Sequence, residues 1–278
     1  MTMTAARVSR DIQVNDVTMV FHGQGESVIA LEKVGMHVEA GQFASIIGPS
    51  GCGKSTLLRL IADIVQPHSG NVTLGTDTPR AARRAHALGF VFQSPTLLPW
   101  RTVRQNVELP LDVVGRNSAR RSAKSAAELI ELVGLKGFED ALPHQLSGGM
   151  QQRAAIARAL MLTPDVLLLD EPFGALDEIT RQRMNLEMLR IWAESGTTAL
   201  LVTHSIGEAI FMSDKVFVMS ARPGRIVSVV DVPLPRPRTL DMMRTPAFYE
   251  CVNRVRDGLF GKEEGSSAAS EPEPAEAY

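Results

Sequence analysis

The strongest chemistry in this chain lies in one stretch, Gly48-Pro49-Ser50-Gly51-Cys52-Gly53-Lys54-Ser55-Thr56. Its spacing is G-x-x-x-x-G-K-S/T. An apolar run, Phe43 to Ile47, precedes it, and Leu57, Leu58, Leu60 and Ile61 follow at helical spacing. That order is strand, glycine-rich loop, helix. Glycines let a backbone wrap a polyphosphate closely, because no Cβ blocks the approach. The loop N–H groups and the helix N-terminus then point at the phosphates. Lys54 suits the β- and γ-phosphate oxygens, and the Ser55 hydroxyl suits Mg²⁺. The loop predicts a nucleoside triphosphate and leaves open what its energy is used for.

Leu167-Leu168-Leu169-Asp170-Glu171 is an aliphatic strand delivering two carboxylates at its C-terminal end, where α/β sheets place ligands. Asp170 suits Mg²⁺, directly or through water, and Glu171 suits a general base that takes a proton from the attacking water. Gln93 and His204 each close another apolar run. An amide at the first position can bind Mg²⁺ and the attacking water, and an imidazole at the second can reach the γ-phosphate and orient Glu171. Alone, such a Gln is more often surface and such a His more often structural; the phosphate loop in the same chain recruits them. Ser147, Gly148, Gly149 and Gln151 open a further helix, and a helix N-terminus with free backbone N–H groups is a second anion site. One ATP hardly needs both devices from one subunit. The economical arrangement is a head-to-tail pair, each nucleotide lying between one chain's phosphate loop and the other's Ser147 segment.

The 278 residues, 44% of them hydrophobic, allow a substantial core, and the net charge of −2 argues against a nucleic-acid partner. Arg80, Arg83 and Arg84 read as solvated surface. Two scattered cysteines, Cys52 and Cys251, suit a reducing cytosol. Met1 to Arg10 has no apolar signal-peptide core, and no run approaches the roughly 18–20 apolar residues that span a bilayer. A role at a membrane therefore requires a partner that holds the chain there.

Alternation over residues 11–21 predicts a strand at a sheet edge, with a turn at His22-Gly23-Gln24-Gly25. Strand character resumes at Val28–Leu31 and Val34–Val38, and again at Asn71–Leu74. Continuous apolar runs end at Gln93, Asp170 and His204, and with intervening helices they predict a parallel sheet covered on both faces. Val103 to about Gly134 is helical in pattern, with Gly134 as C-terminal cap; Ser147 is the N-cap of the next helix. A helix is expected from about Glu178 to Ser195. Lys215–Met219 and Arg225–Val230 form a final hairpin about Ala221-Arg222-Pro223-Gly224. A last helix is expected over Phe248–Phe260, and the Glu-, Ser-, Ala- and Pro-rich segment 262–278 predicts a disordered tail.

With these motifs in this order, the chain resembles the ATPase subunit of an ATP-binding cassette (ABC) transporter over roughly residues 11–235. Leu146 to Gln151 matches the family signature, Asp170-Glu171 the acidic pair, Gly174-Ala175-Leu176-Asp177 the loop at the dimer seam, and His204 the switch histidine. The resemblance implies an α/β fold: a P-loop NTPase (RecA-like) core, an N-terminal antiparallel β-subdomain, and an inserted α-helical signature subdomain over about 94–162. Residues 236–261 would be a partly helical C-terminal extension. It further implies ATP and Mg²⁺ as cofactors, with Phe21, in place of the more usual Tyr, stacking on adenine beside Val28. The implied partners are a second ATPase subunit, integral membrane permease subunits and, indirectly, a periplasmic or extracellular solute-binding protein; the chain itself would lie peripherally at the cytoplasmic face of the inner (plasma) membrane. Leu97-Leu98-Pro99-Trp100 and Ser220 to Ile226 resemble the nitrate, sulfonate and taurine importers. The alternative is a soluble ABC ATPase of DNA repair or translation; the short interval from Gln93 to Ser147 leaves no room for the long coiled coil usual there. A GTPase or small-molecule kinase lacks support, with no Asn-Lys-x-Asp motif present.

Overall fold

The computed structural model describes residues 9–22, 27–115, 124–174 and 176–261. Most of the expected turn after His22, Ala175 of the seam loop and the expected tail 262–278 lie outside the described residues.

Nine strands form two sheets among these residues. The smaller is antiparallel and contains β1 (Ile12–His22), β2 (Ser27–Val38) and β4 (Ser69–Leu74) in the order β2-β1-β4. This corrects the expectation that residues 11–21 lie at an edge. β4 pairs with the second side of β1, from Ile12 opposite Leu74 to Thr18 opposite Ser69, so β1 is the central strand. Register shifts after Val14, Val17 and Met19 interrupt its alternation.

The larger sheet has the order β5-β6-β7-β3-β8-β9, built from β3 (Phe43–Ile47), β5 (Leu88–Val91), β6 (Val166–Asp170), β7 (Thr198–Val202), β8 (Lys215–Met219) and β9 (Ile226–Asp231). All neighbours are parallel except β8 and β9, which form the expected hairpin. Every residue of β3, β6 and β7 is buried, which is why these strands read as continuous apolar runs. Their side chains alternate between two cores. Phe43, Ile47, Leu167, Leu169 and Leu201 face most of the helices. Ala44, Ile46, Leu168, Leu200 and Val202 face α1 (Lys54–Ile61) and the small sheet.

The helical stretch expected from Val103 to Gly134 resolves into two helices, with residues 116–123 outside the described set. After α2 (Pro79–Arg84), α3 (Val103–Val114) ends at Gly115, whose φ of 91° lies outside the helical range. α4 (Ala126–Leu132) begins at a capping box formed by Ser125 and Glu128. α5 (Gly148–Leu160) starts after Ser147, whose Oγ accepts from Met150 N, as the sequence predicts. α6 (Glu178–Ser195) also falls where expected, capped by Asp177. Two short helices had no periodicity long enough to read: α2, introduced by Thr78-Pro79, and α7 (Ile206–Met212), capped by Ser205.

Beyond β9 comes a 3₁₀ turn over Leu240–Arg244 and then α8 (Pro246–Phe260). Phe248, Cys251, Val252 and Val255 recur at one-face spacing and join the main core. Both cysteines are free and buried.

The positioning logic follows from the strand order. β5, β6, β7 and β3 are parallel neighbours, so the segments after their C-terminal ends emerge along one edge. Those segments carry Gln93, Asp170 and Glu171, His204, and the phosphate loop. Leu200 is fully buried at the middle of β7. Leu200→Ala is expected to cost about 2–5 kcal/mol, measurable as a lowered urea midpoint by far-UV circular dichroism.

Candidate active site

The phosphate loop packs on the core shared by α1 and the small sheet, which its buried Cys52 joins. Gly53 caps α1 at φ 103°, and a Cβ there would lie 2.6 Å from Leu31 Cδ2 and 3.0 Å from Ala30 O. Strand β2 thus backs the loop so closely that only glycine fits. Leu57, Leu58, Leu60 and Ile61 bury the face of α1 that holds its N-terminus in place. Lys54 is buried, and its Nζ donates to the carbonyls of Gly48 at 2.8 Å and Pro49 at 2.9 Å. Cys52 Sγ lies 3.8 Å from the same nitrogen, on the buried side of the loop. The loop is therefore curled around the lysine that must serve a phosphate.

Ser55 Oγ donates to Asp170 Oδ1 at 2.9 Å. Asp170 is almost wholly buried. Burial raises its carboxyl pKa above the ordinary range; the Ser55 hydrogen bond opposes this, and the neighbouring charge of Glu171 adds to it. A buried carboxylate held beside a hydroxyl is a hard-oxygen pair in need of positive charge. Among the described residues no group of three or more His, Cys, Asp or Glu could hold a metal. The Ser55 hydroxyl and the Asp170 carboxylate are a donor set that fits Mg²⁺, which takes one or two protein ligands and completes its shell with phosphate and water.

Glu171 follows directly, with φ 47°. Left-handed backbone is unusual for a residue bearing a side chain and costs on the order of 1–3 kcal/mol. Its N–H donates to Val202 O at 2.9 Å, which fixes the bend against β7. Gln93 Nε2 donates to its Oε2 at 3.3 Å, and His204 Nδ1 lies 3.5 Å from the same oxygen. Gln93 and His204 both sit two residues past their strands, which end at Val91 and Val202, so each side chain reaches over the edge from a loop. His204 is 61% exposed in its side chain.

Phe21 stands opposite Val28 across the β1–β2 pair, and both are exposed. A cleft of about 530 Å³ runs from these two past Ser50, Gly51, Lys54, Ser55 and Thr56 to Gln93 and Glu171. Gly48, Pro49 and Cys52 do not line it; Cys52 is buried, and Pro49 faces a separate pocket beside β9 and α8. Ser147, Gly148, Gly149 and Gln151 are also outside the cleft. Ser147 and Gly148 face solvent, and a Cβ on Gly148 would meet nothing within 4 Å. The Gln151 amide turns inward, donating to Pro143 O at 2.9 Å and Leu146 O at 3.4 Å, which holds the approach to α5.

Two placements follow only from the fold. Arg222 enters the cleft from the β8–β9 turn, with Nε donating to Gly51 O at 2.7 Å. Behind His204, Glu208 is buried, and burial raises its carboxyl pKa, opposed by hydrogen bonding with Thr203 and Asn185. Thr203 Oγ1 in turn accepts from Ser205 N at 3.0 Å, and Arg181 donates to Leu176 O at 2.8 Å.

Residues 31–174 match the family described as ABC transporter. This chain belongs to the ABC transporter family. An uncharacterized ABC transporter ATP-binding protein of Methanocaldococcus jannaschii is 46% identical over 232 residues, 84% of this chain and 86% of the relative. The nitrate import ATP-binding protein NrtD of Synechocystis sp. is 42% identical over 91% of this chain and 96% of its own length. The aliphatic sulfonates import ATP-binding protein SsuB of Bacillus cereus is 42% identical over 88% and 94%. Among solved structures, the ATP-binding cassette MJ0796, as a dimer in a post-hydrolysis state with ADP and Pi, aligns with TM-score 0.72 and 33% identity. That alignment covers 81% of this chain and all of the other. The fold is thus the ABC ATPase fold, with an antiparallel β-subdomain beside the α/β core. The DNA-repair and translation alternative gains no support from these relatives.

The buried Asp170 of this ABC ATPase sets a pH dependence. With its folded pKa above the ordinary value of 3.8, the folded state holds the proton more tightly than the unfolded chain. Stability then falls as pH rises through the folded pKa. Asp170→Asn removes that penalty and keeps an acceptor for Ser55. Nucleotide-free Asp170→Asn is expected to melt above wild type at neutral pH, with the gap closing as pH falls from the raised folded pKa towards the ordinary aspartate value. Thermal scans across pH check this, and addition of MgATP should stabilise wild type more than the variant.

Proposed function

We propose that this ABC ATPase binds and hydrolyses MgATP as one half of a head-to-tail pair and thereby energises uptake of a small nutrient through a separate permease. The observation that carries the proposal is the split of its phosphate-binding parts. Lys54, Ser55, Asp170, Glu171, Gln93 and His204 meet at one sheet edge, whereas Ser147 and Gly148 open a helix toward solvent, away from that cleft.

In this reading Phe21 packs against the adenine face beside Val28. The backbone of Gly48 to Thr56 and the Lys54 ammonium hold the β- and γ-phosphates. Ser55, Asp170 and Gln93 would hold Mg²⁺, which supplies charge neutralisation at the phosphates when bound. Glu171 accepts the proton of the attacking water, with its carboxylate steadied by Gln93 and His204 on the same oxygen. His204 is also placed to reach the γ-phosphate. Ser147, Gly148 and Gly149 of a second copy complete the site from the other side, with Gln151 holding that segment in shape. The seam loop 174–177 lies between the two copies.

The cassette spans 11–235, with its helical subdomain over about 94–162, and 236–261 forms a C-terminal extension. The permease docks near Gln93 and the loop Leu97 to Trp100. Trp100 is 72% exposed, yet the loop beneath it is held firmly. The buried Asn106 accepts from Leu98 N at 2.8 Å and donates to the carbonyls of Leu98, Arg101 and Thr102. Among the described residues no helix is long and apolar enough to cross a membrane, which suits a peripheral subunit on the cytoplasmic face. The nitrate and sulfonate import relatives support a nitrate-, sulfonate- or taurine-like cargo, delivered by a solute-binding protein that meets the permease and not this chain. Nucleic acid has no place in this scheme.

Two variants test the scheme. Glu171→Gln should retain ATP affinity and lose turnover by about 10²–10⁴, accumulating as an ATP-bound dimer on size-exclusion chromatography; near-normal turnover would remove Glu171 from the base role. Ser147→Arg should leave ATP binding to the isolated subunit intact and abolish hydrolysis. Unchanged hydrolysis would count against the shared site.

A further inference from the structure

The segment Ser220-Ala221-Arg222-Pro223-Gly224-Arg225-Ile226 has no part in the scheme above, although its turn is built into the wall of the cleft. Ser220 Oγ donates to Pro223 O at 3.0 Å and accepts from Arg225 N at 3.1 Å, closing the turn on itself. Gly224 then enters the edge of β2: its N–H donates to Ala30 O and its carbonyl accepts from Glu32 N, both at 3.0 Å. Arg225 pairs with Glu32 beside it. A Cβ on Gly224 would fall 2.1 Å from Cys52 O, so the turn is wedged between β2 and the phosphate loop. It is not a free hairpin tip.

This wedge sets the place of Arg222. Its Nε bonds Gly51 O at 2.7 Å, and its Nη2 lies 3.1 Å from where a Gly51 Cβ would stand. Its two terminal nitrogens have no hydrogen-bond or ion-pair partner among the described residues, and the side chain lines the cleft with Phe21, Val28, Gly51 and Lys54. Lys54 and Arg222 are the cations of that lining, against one carboxylate, Glu171. A guanidinium braced through Nε presents its remaining N–H fork as a preorganised match for phosphate oxygens.

We propose that Arg222 contacts the nucleotide directly, bonding a phosphate oxygen through its terminal nitrogens while Nε braces the loop at Gly51. The proposal rests on the reading of this cleft as the ATP site and adds to it a second cation, supplied by the β8–β9 turn.

The test measures Kd for ATP and for adenosine on the full chain as wild type, Arg222→Gln, Arg222→Lys and Lys54→Ala. Arg222→Gln should weaken ATP about ten- to hundredfold, the loss expected for one charge-assisted hydrogen bond. Adenosine, which has no phosphate, should bind all Arg222 variants as it binds wild type. Arg222→Lys should recover part of the ATP affinity, since the charge remains and the fork does not. Two results overturn the proposal: ATP affinity of Arg222→Gln within about twofold of wild type, or an equal loss for adenosine and ATP, which would make Arg222 only a brace for the pocket. Lys54→Ala separates this failure from failure of the site itself. If Lys54→Ala loses ATP and Arg222→Gln does not, only the role of Arg222 falls. If neither loses ATP, the cleft is not the nucleotide site and both readings fall.

Discussion

The hydrogen bond from Ser55 to Asp170 is the interaction on which the rest of the site depends. It joins the start of α1 to the end of β6, residues 115 apart in sequence. β6 and β3 are not neighbours, because β7 lies between them. The bond therefore requires three strands to be level. They are: Ile46 pairs with Val202, and Val202 pairs with Asp170. One residue beyond that row, the backbone of Glu171 bends into left-handed space and its N–H anchors on Val202 O. A slip of one residue in either pairing would turn Asp170 toward the opposite face. The buried side chains of β3, β6 and β7, divided between two cores, make such a slip costly. Packing energy in the sheet is thus what places a hydroxyl and a carboxylate within a cation's reach.

The same construction leaves the cleft open on one side. Phe21 and Val28 are exposed although they are apolar, and His204 is exposed although it lies beside Glu171. In the proposed scheme, a site that admits its attacking water but excludes bulk solvent is incomplete in that state. The helix α5 shows the complementary gap, with Ser147 and Gly148 open to solvent. Each incomplete surface lacks what the other offers: phosphates held in a loop, and backbone donors at a helix end. In the proposed scheme the phosphate loop is accordingly one jaw of a clamp, and closure by a second copy would supply the missing wall.

Much of this was legible in the sequence because the determining features are local or periodic. The phosphate loop and its flanks carry their own spacing, the strands on the way to Glu171 and His204 are unbroken apolar runs, and Ser147 caps its helix as its residue type suggests. Other features depend on pairing partners distant in sequence. Nothing in residues 11–21 shows that β4 will occupy their second edge. The short helices α2 and α7 span too few residues for periodicity to register, and Gly115 interrupts a stretch whose composition stays helical. The left-handed bend at Glu171 follows from its tie to Val202. The approach of Arg222 to Gly51 follows from a wedge of β2, the phosphate loop and the β8–β9 turn, three segments brought together only by the fold.

The polar residues behind His204 extend the argument from placement to coupling. Arg181 Nε, Asn185 Oδ1 and Glu208 Oε1 are buried and lack a hydrogen-bond partner among the described residues, and all three residues line one cavity of about 200 Å³. Each such atom costs on the order of 1–3 kcal/mol, so apolar residues would make a more stable interior here. What the polar side chains add is attachment. Arg181 holds the carbonyl of Leu176 in the seam loop, and Glu208 lies against Thr203, which in turn fixes Ser205 beside His204. Leu176, before α6, and the loop that carries His204 therefore rest on one buried cluster, between α6 and α7. The polar cluster thus ties the start of α6 to the loop that carries His204.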